Sequence, residues 1–101
     1  MKWTVFVAET NGQLVGWTAL SGGKRKWEVE HLWVLPEVMG KGIGKGLFRL
    51  ALEECCQVGD LIRVESDPNA VGFYQAMDFE IVGVIGSVPE GRQLPVLEMV
   101  V

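Results

Sequence analysis

Four glycines, Gly40, Gly42, Gly44 and Gly46, stand at alternate places in "VMGKGIGKGLF", and an apolar pattern of helical period follows them. Glycine in regular structure costs about 0.5–1 kcal/mol relative to alanine, so something must offset that cost. A glycine-rich turn feeding a helix offers unpaired backbone N–H groups and the positive end of the helix dipole, which suits an anion and above all a phosphate. Lys41, Lys45 and Arg49 add positive charge around the same turns of an otherwise acidic chain. The Walker arrangement requires Gly-Lys-Ser/Thr at its end, and no placement on these glycines supplies it. The dinucleotide pattern fails as well, because starting at Gly40 puts Lys45 where its third glycine belongs.

Other reactive side chains are few. Strand alternation places Glu28, Glu30 and Leu32 on one face and Val29, His31 and Trp33 on the other. Cys55 and Cys56 are adjacent, are not expected to bond each other, and have no histidine nearby in sequence, which argues against a nucleophilic role. No spacing of His, Cys or carboxylates resembles a metal site.

The elements that must hold these groups can be read locally. Trp3–Glu9 alternates apolar and polar and predicts a strand. Asn11-Gly12 predicts a tight hairpin turn into a second strand, Leu14–Leu20. "SGGKRK" predicts another turn into Trp27–Leu35, which Pro36 ends. A helix is expected from about Gly42 to Val58, with Ile43, Leu47, Leu50, Ala51 and Val58 as its apolar stripe and Gly59 as its left-handed cap. Leu61–Glu65 predicts a short strand. Asp67-Pro68 predicts an N-cap and first helical position for a second helix running to Met77. Strands near Phe79–Ile85 and Leu94–Val101 close the chain, joined by "GSVPEGRQ". The strand–loop–helix crossover at the centre is expected to be right-handed, with parallel strands.

The 101 residues predict one domain over 1–101, and 49% apolar with 22% charged residues is ordinary globular composition. A net charge of −4 argues against nucleic acid. No apolar run approaches the roughly 18 residues of a membrane span. Without a signal peptide or a disulfide framework, the expected compartment is the cytoplasm.

The remaining pattern, x-x-x-G-x-G on a strand-to-helix turn with Gly42 and Gly44 as the pair, resembles the GNAT superfamily of N-acetyltransferases. "LWVLPEVMGKGIGKGLFRLAL" is similar to that family's cofactor motif, and "VESDPNAVGFYQAMDFEIVG" is similar to its second motif at the expected distance. The resemblance covers about 28–86. It implies an α/β (α+β) domain of acyl-CoA N-acyltransferase type, with a single mixed, mostly antiparallel sheet and two helices. It also implies acetyl transfer from acetyl-CoA to a primary amine by direct attack, without an acyl-enzyme. Backbone N–H groups of Met39, Gly40, Lys41, Gly42, Ile43, Gly44 and Lys45 would hold the pyrophosphate. Trp33 and Val34 would pair with the pantetheine arm, with Asn69 and Phe73 beside it. Tyr74 matches the tyrosine that protonates the leaving thiolate. Glu30 is the first candidate for the base, followed by Glu28 and His31.

Three departures stand out. Met39 occupies a place usually held by Arg or Gln, and Asp78 one where glycine is common. The family normally carries a strand and two helices ahead of the hairpin that opens this sequence. Those helices usually wall the acceptor site, and Trp3, Trp17, Trp27 and Trp33 put unusual apolar area on the front half of the sheet. A homodimer with its acceptor site near the interface is therefore expected. The alternative function is a non-catalytic acetyl-CoA-binding module that regulates a protein partner.

Overall fold

A computed structural model describes residues 2–87 and 92–101. The chain opens with β1 (Trp3–Thr10), β2 (Gln13–Gly23) and β3 (Lys26–Val34), followed by a short 3-10 turn, Pro36–Val38. Helix α1 (Ile43–Cys55), β4 (Leu61–Glu65), a second 3-10 turn (Pro68–Ala70) and α2 (Val71–Ala76) come next. Strands β5 (Glu80–Ser87) and β6 (Arg92–Val100) complete the chain. The middle of the expected "GSVPEGRQ" connection lies outside the described residues.

The six strands form one sheet in the order β1-β2-β3-β4-β6-β5. Every neighbouring pair is antiparallel except β3 and β4, which the crossover through α1 makes parallel. Both helices cover the same face. Phe48 of α1 lies 5.5 Å from the ring of Phe79, and Tyr74 of α2 meets that ring at 5.3 Å. The core between sheet and helices joins Leu20, Val29, Ile62, Val64 and Leu97 to Phe48 and Ala51.

The helix stripe differs from the expected one. Its buried residues are Gly44, Leu47, Phe48 and Ala51, at helical spacing, while Leu50 is exposed. The helix also stops earlier, because Cys56 is extended and Val58 is 94% exposed. A tertiary contact ends it. The Asp60 carboxylate accepts from the Gln57 backbone N–H at 2.9 Å and from Trp27 Nε1 at 3.1 Å. Gly59 has φ +96° but serves this later turn, where its N–H bonds Val101, rather than capping the helix. Asp67 caps the following segment as expected, its carboxylate accepting from the Asn69 N–H at 2.8 Å. That segment begins as the 3-10 turn and is helical only to Ala76. Asp78 adopts φ +75°, the conformation that makes glycine common there.

The second hairpin turn also falls elsewhere. Gly22 and Gly23 belong to β2, and a Cβ at Gly22 would sit 2.4 Å from the Lys26 carbonyl oxygen. The glycines therefore permit a close approach, and the left-handed turn positions fall to Lys24 (φ +53°) and Arg25 (φ +80°). Left-handed L-residues cost about 1–2 kcal/mol each. Replacing the pair by Asn-Gly (Lys24→Asn with Arg25→Gly) is expected to raise stability by about 1 kcal/mol. That corresponds to a rise of roughly 4–8 °C in the calorimetric midpoint, and an unchanged midpoint would contradict it.

One irregularity in the β2–β3 pairing sets which β3 side chains share a face. Consecutive residues Ala19 and Leu20 of β2 pair with His31 and Val29 of β3, so Glu30 is an extra residue, a β-bulge. The bulge breaks the simple alternation read from sequence. Val29 joins the helix-side core, whereas His31 and Trp33 lie on the opposite face against Trp17. Trp27 shares the helix side with Val29, where it packs against the core and donates to Asp60.

Candidate active site

Strands β3 and β4 pair only at Lys26–Leu61, Trp27–Ile62 and Glu28–Arg63. Beyond the bulge β3 runs on to Val34 without β4, while β4 stays paired with β6 as far as Glu65. The sheet therefore splits into a V just where the glycine turn and the start of α2 converge on its helix face.

A cleft of about 580 Å³ fills that convergence. Gly40, Gly42, Ile43, Gly44 and Lys45 line one side, and Asn69, Phe73 and Tyr74 the other, with Val34 and Met39 between them. Leu32, Val38 and Ala70 line it too, and sequence reasoning missed them. Leu32 had a signal, since it lies two residues before Val34 on the same strand. Trp33 and Lys41 are not among the lining residues. The Trp33 side chain is turned to the other face by its pairing with Trp17.

The backbone explains the glycines. Gly40 and Gly42 have φ of +82° and +83°, a region costly to any residue with a Cβ. Gly42 precedes the first turn of α1, and its carbonyl accepts the first helical bond from Gly46 at 2.9 Å. Gly44 is buried beneath Phe73 and Val34, each of which would lie 3.3 Å from an added Cβ. Among the described residues, the N–H groups of 40–45 donate no hydrogen bond. Met39 differs: its N–H is already committed to the Pro36 carbonyl at 3.2 Å. Of the seven N–H groups expected to face an anion, that of Met39 is therefore occupied and those of 40–45 are unpaired among the described residues.

Tyr74 ends the cleft. Its ring packs edge-on against Phe73 and Phe79, at 5.3 Å from each, and only 5% of the residue is exposed. Its hydroxyl makes no hydrogen bond to a described residue. Burial pushes the phenol up to about 12. The side chain is therefore neutral at pH 7 and holds a proton it can give. It is the chain's single tyrosine, so its ionisation can be followed alone near 295 nm. A midpoint near 12 is expected in the folded protein. The raised value stabilises the fold fully below about pH 10, the unfolded phenol's value. About 3 kcal/mol is then lost as pH rises from 10 through 12. A gradual ionisation centred on 10 in still-folded protein would contradict this burial.

Glu28 and Glu30 do not line the cleft. They line a second hollow of about 710 Å³ on the opposite face of the sheet, with Lys2, Ser21, Lys26 and Glu65. Glu30 accepts a hydrogen bond from the Ser21 hydroxyl. Glu28 meets Arg63 at 3.2 Å, and Arg63 bonds Glu65 at 2.8 Å. Burial raises the Glu28 carboxyl above its usual range, and Arg63 offsets part of that rise. His31 lies 5.0 Å from the ring of Trp3 and 5.1 Å from that of Trp17, in neither hollow. Cys55 and Cys56 are free thiols away from both, and burial pushes Cys56 up to about 11, so it stays an unreactive thiol. Among the described residues no group of three or more His, Cys, Asp or Glu could hold a metal, and no helix is long and apolar enough to cross a membrane.

This geometry has known counterparts. Over 80 residues the chain is 35% identical to mycothiol acetyltransferase of Streptomyces griseus, an alignment covering 73% of this chain and 26% of that protein. Over 85 residues it is 34% identical to an uncharacterized N-acetyltransferase of Archaeoglobus fulgidus, covering 73% of this chain and 58% of the other. The chain thus spans between a quarter and three fifths of the length of these relatives. In fold it matches a GNAT superfamily phosphinothricin acetyltransferase of Sinorhizobium meliloti, solved in complex with AcCoA, with a TM-score of 0.76 and 21% identity. That match covers 98% of this chain and 61% of the other. Residues 2–100 match the acetyltransferase (GNAT) domain family, to which this chain therefore belongs.

Proposed function

We propose that the protein transfers the acetyl group of acetyl-CoA to a primary amine. One observation carries this reading: Gly40, Gly42, Ile43, Gly44 and Lys45, whose N–H groups are unpaired among the described residues, line an apolar cleft that ends at a buried, protonated tyrosine. A pyrophosphate is the group such a helix start suits, with Lys45 adding charge. The pantetheine arm would run past Gly44, Phe73 and Asn69 along the free part of β3, near Trp33 and Val34. The AcCoA complex of the Sinorhizobium meliloti neighbour supports the choice of donor.

The amine nitrogen then attacks the thioester carbonyl carbon and gives a tetrahedral intermediate. A β3 backbone N–H left without a β4 partner is suited to the oxyanion, a contribution of about 3–4 kcal/mol in well-studied enzymes. Collapse breaks the carbon–sulfur bond, and Tyr74 protonates the departing thiolate. The amine's proton leaves toward the carboxylate hollow, where Glu30 and Glu28 face the other side of the split sheet. Glu30 is the stronger candidate, because Arg63 already engages Glu28.

Titration calorimetry with acetyl-CoA, CoA and ATP, beside thiol release with a panel of amines, tests the reading. Micromolar binding of both CoA forms and amine-dependent thiol release are expected. Binding without release for any amine would favour the non-catalytic module, and no binding would overturn both.

A further inference from the structure

The bulge leaves Glu30 without a rung of its own on β2. In unbroken register it would oppose Ala19, but Ala19 pairs with His31 and Leu20 with Val29. A bulged residue loses its place in the ladder, so something else must fix the direction of its side chain. Here that is Ser21. Its hydroxyl donates to Glu30 Oε2, and the serine is only 3% exposed, so water has little access to the donor. Side chains on this face of β2 alternate through Trp17, Ala19 and Ser21, and of these Ser21 carries the hydroxyl.

The neighbouring acid is held differently. Glu28 stands opposite Ser21 in the register, yet its carboxylate meets Arg63 of β4 at 3.2 Å, and Arg63 also bonds Glu65. A cation lowers the basicity of a carboxylate directly, whereas a neutral hydroxyl orients one with its charge intact. Glu30 therefore keeps the character of a proton acceptor while being held in place. Ser21 occupies Oε2, and Oε1 makes no hydrogen bond to a described residue.

We propose that Ser21 is a positioning residue for acetyl transfer, its buried hydroxyl holding the Glu30 carboxylate so that Oε1 is left to receive the amine's proton. This rests on the acetyl-transfer reading above and on Glu30 as its base. A hydrogen bond to an ionised acceptor favours the ionised form, so losing it makes the carboxylate ionise only at higher pH. Lys2, Lys26, Glu28 and Glu65 line the same hollow, with Arg63 joining the two glutamates. Replacing Ser21 removes none of these charges, so a change in the pH profile reports the hydroxyl.

Thiol release by the wild type, Ser21→Ala, Ser21→Thr and Glu30→Gln is measured across pH 4–9 with the primary amine that reacts fastest. Expressing kcat/KM per unprotonated amine cancels the amine's own ionisation, so the remaining rise with pH belongs to the enzyme's base. Glu30→Gln is expected to abolish that rise and to lower kcat/KM by about 10²–10⁴-fold. Ser21→Ala is expected to move the rise about one pH unit higher, a loss of about tenfold below it, with acetyl-CoA affinity unchanged by calorimetry. Ser21→Thr keeps the hydroxyl and is expected to restore the wild-type profile. A rise that stays in place in Ser21→Ala, whatever the rate, would make the serine structural and overturn the proposal. A wild type without such a rise, or a rise that survives Glu30→Gln, would remove Glu30 as base and the proposal with it, while leaving acetyl transfer standing. Thiol release with no amine would overturn the acetyl-transfer reading itself. Circular dichroism checks folding. Should Ser21→Ala not fold, Ser21→Cys, similar in size but a much weaker donor, tests the same bond with the same outcomes.

Discussion

Tyr74→Phe is expected to lower kcat by about 10²–10⁴-fold while leaving acetyl-CoA affinity within a factor of two to three. The separation between the two quantities follows from the structure. Removing the hydroxyl leaves no described donor or acceptor without its partner, because that hydroxyl bonds none of them. The ring keeps its edge contacts with Phe73 and Phe79, so the cleft keeps its shape. What disappears is the proton at the end of the cleft.

A phenol at about 12 is at first sight a poor donor to a thiolate of ordinary basicity near 8.5. The same burial, however, penalises a thiolate formed beside it, so the two groups rise together and transfer stays balanced. The pH profile provides an independent check. With the acid at about 12, Tyr74 produces no falling limb below pH 11, and the rate rises with pH as the amine loses its proton. Michaelis–Menten measurements on wild type and variant across pH 7–10 read both effects. An unchanged kcat would remove Tyr74 from the reaction. A parallel loss of donor binding would make it a packing residue.

Much of this was legible in the chain, and the exceptions have a common cause. Asn11-Gly12, the Asp67 cap and the glycine turn into α1 were all read correctly from local rules, and the family resemblance marked Asp78 as a place for glycine. Each is decided within a few residues by φ preference or by a side chain reaching its own backbone. The bulge at Glu30 was not legible, because a bulge is a relation between two strands and β2 carries no mark of it. From that single miss came the wrong partition of β3, with Val29 set beside His31 and Trp33. The overlong helix has the same kind of origin, since Asp60 captures Gln57 and Trp27 only once β3 is in place. The turn at Lys24–Arg25 was misread because Gly22 serves a close approach rather than a left-handed turn. For the candidate site, the family resemblance placed Gly42, Gly44, Asn69 and Tyr74 together, and one cleft holds all four. It did not separate that cleft from the carboxylate hollow, because the two lie on opposite faces of a sheet whose split begins at the bulge.

Gly42→Val is expected to weaken acetyl-CoA binding by at least about a hundredfold, and two physical effects contribute. At φ +83° a β-branched residue is held in a region that costs it at least about 1–2 kcal/mol, which favours a different path for residues 40–43. Any such shift re-aims the N–H groups that converge at the start of α1, and a pyrophosphate needs several of them at once. A side chain at a lining position also occupies space the ligand would use. Nothing in the protein lies within 4 Å of a Cβ at Gly42, so the core is not overpacked and the stability loss should stay near the backbone cost. Calorimetric titration read together with thermal unfolding distinguishes the cases. A folded variant with its midpoint lowered by a few degrees and its donor affinity lost assigns the glycine turn to the ligand. A variant that binds acetyl-CoA as the wild type does would mean that the turn is only a structural corner, and the donor would have to be sought elsewhere on the molecule.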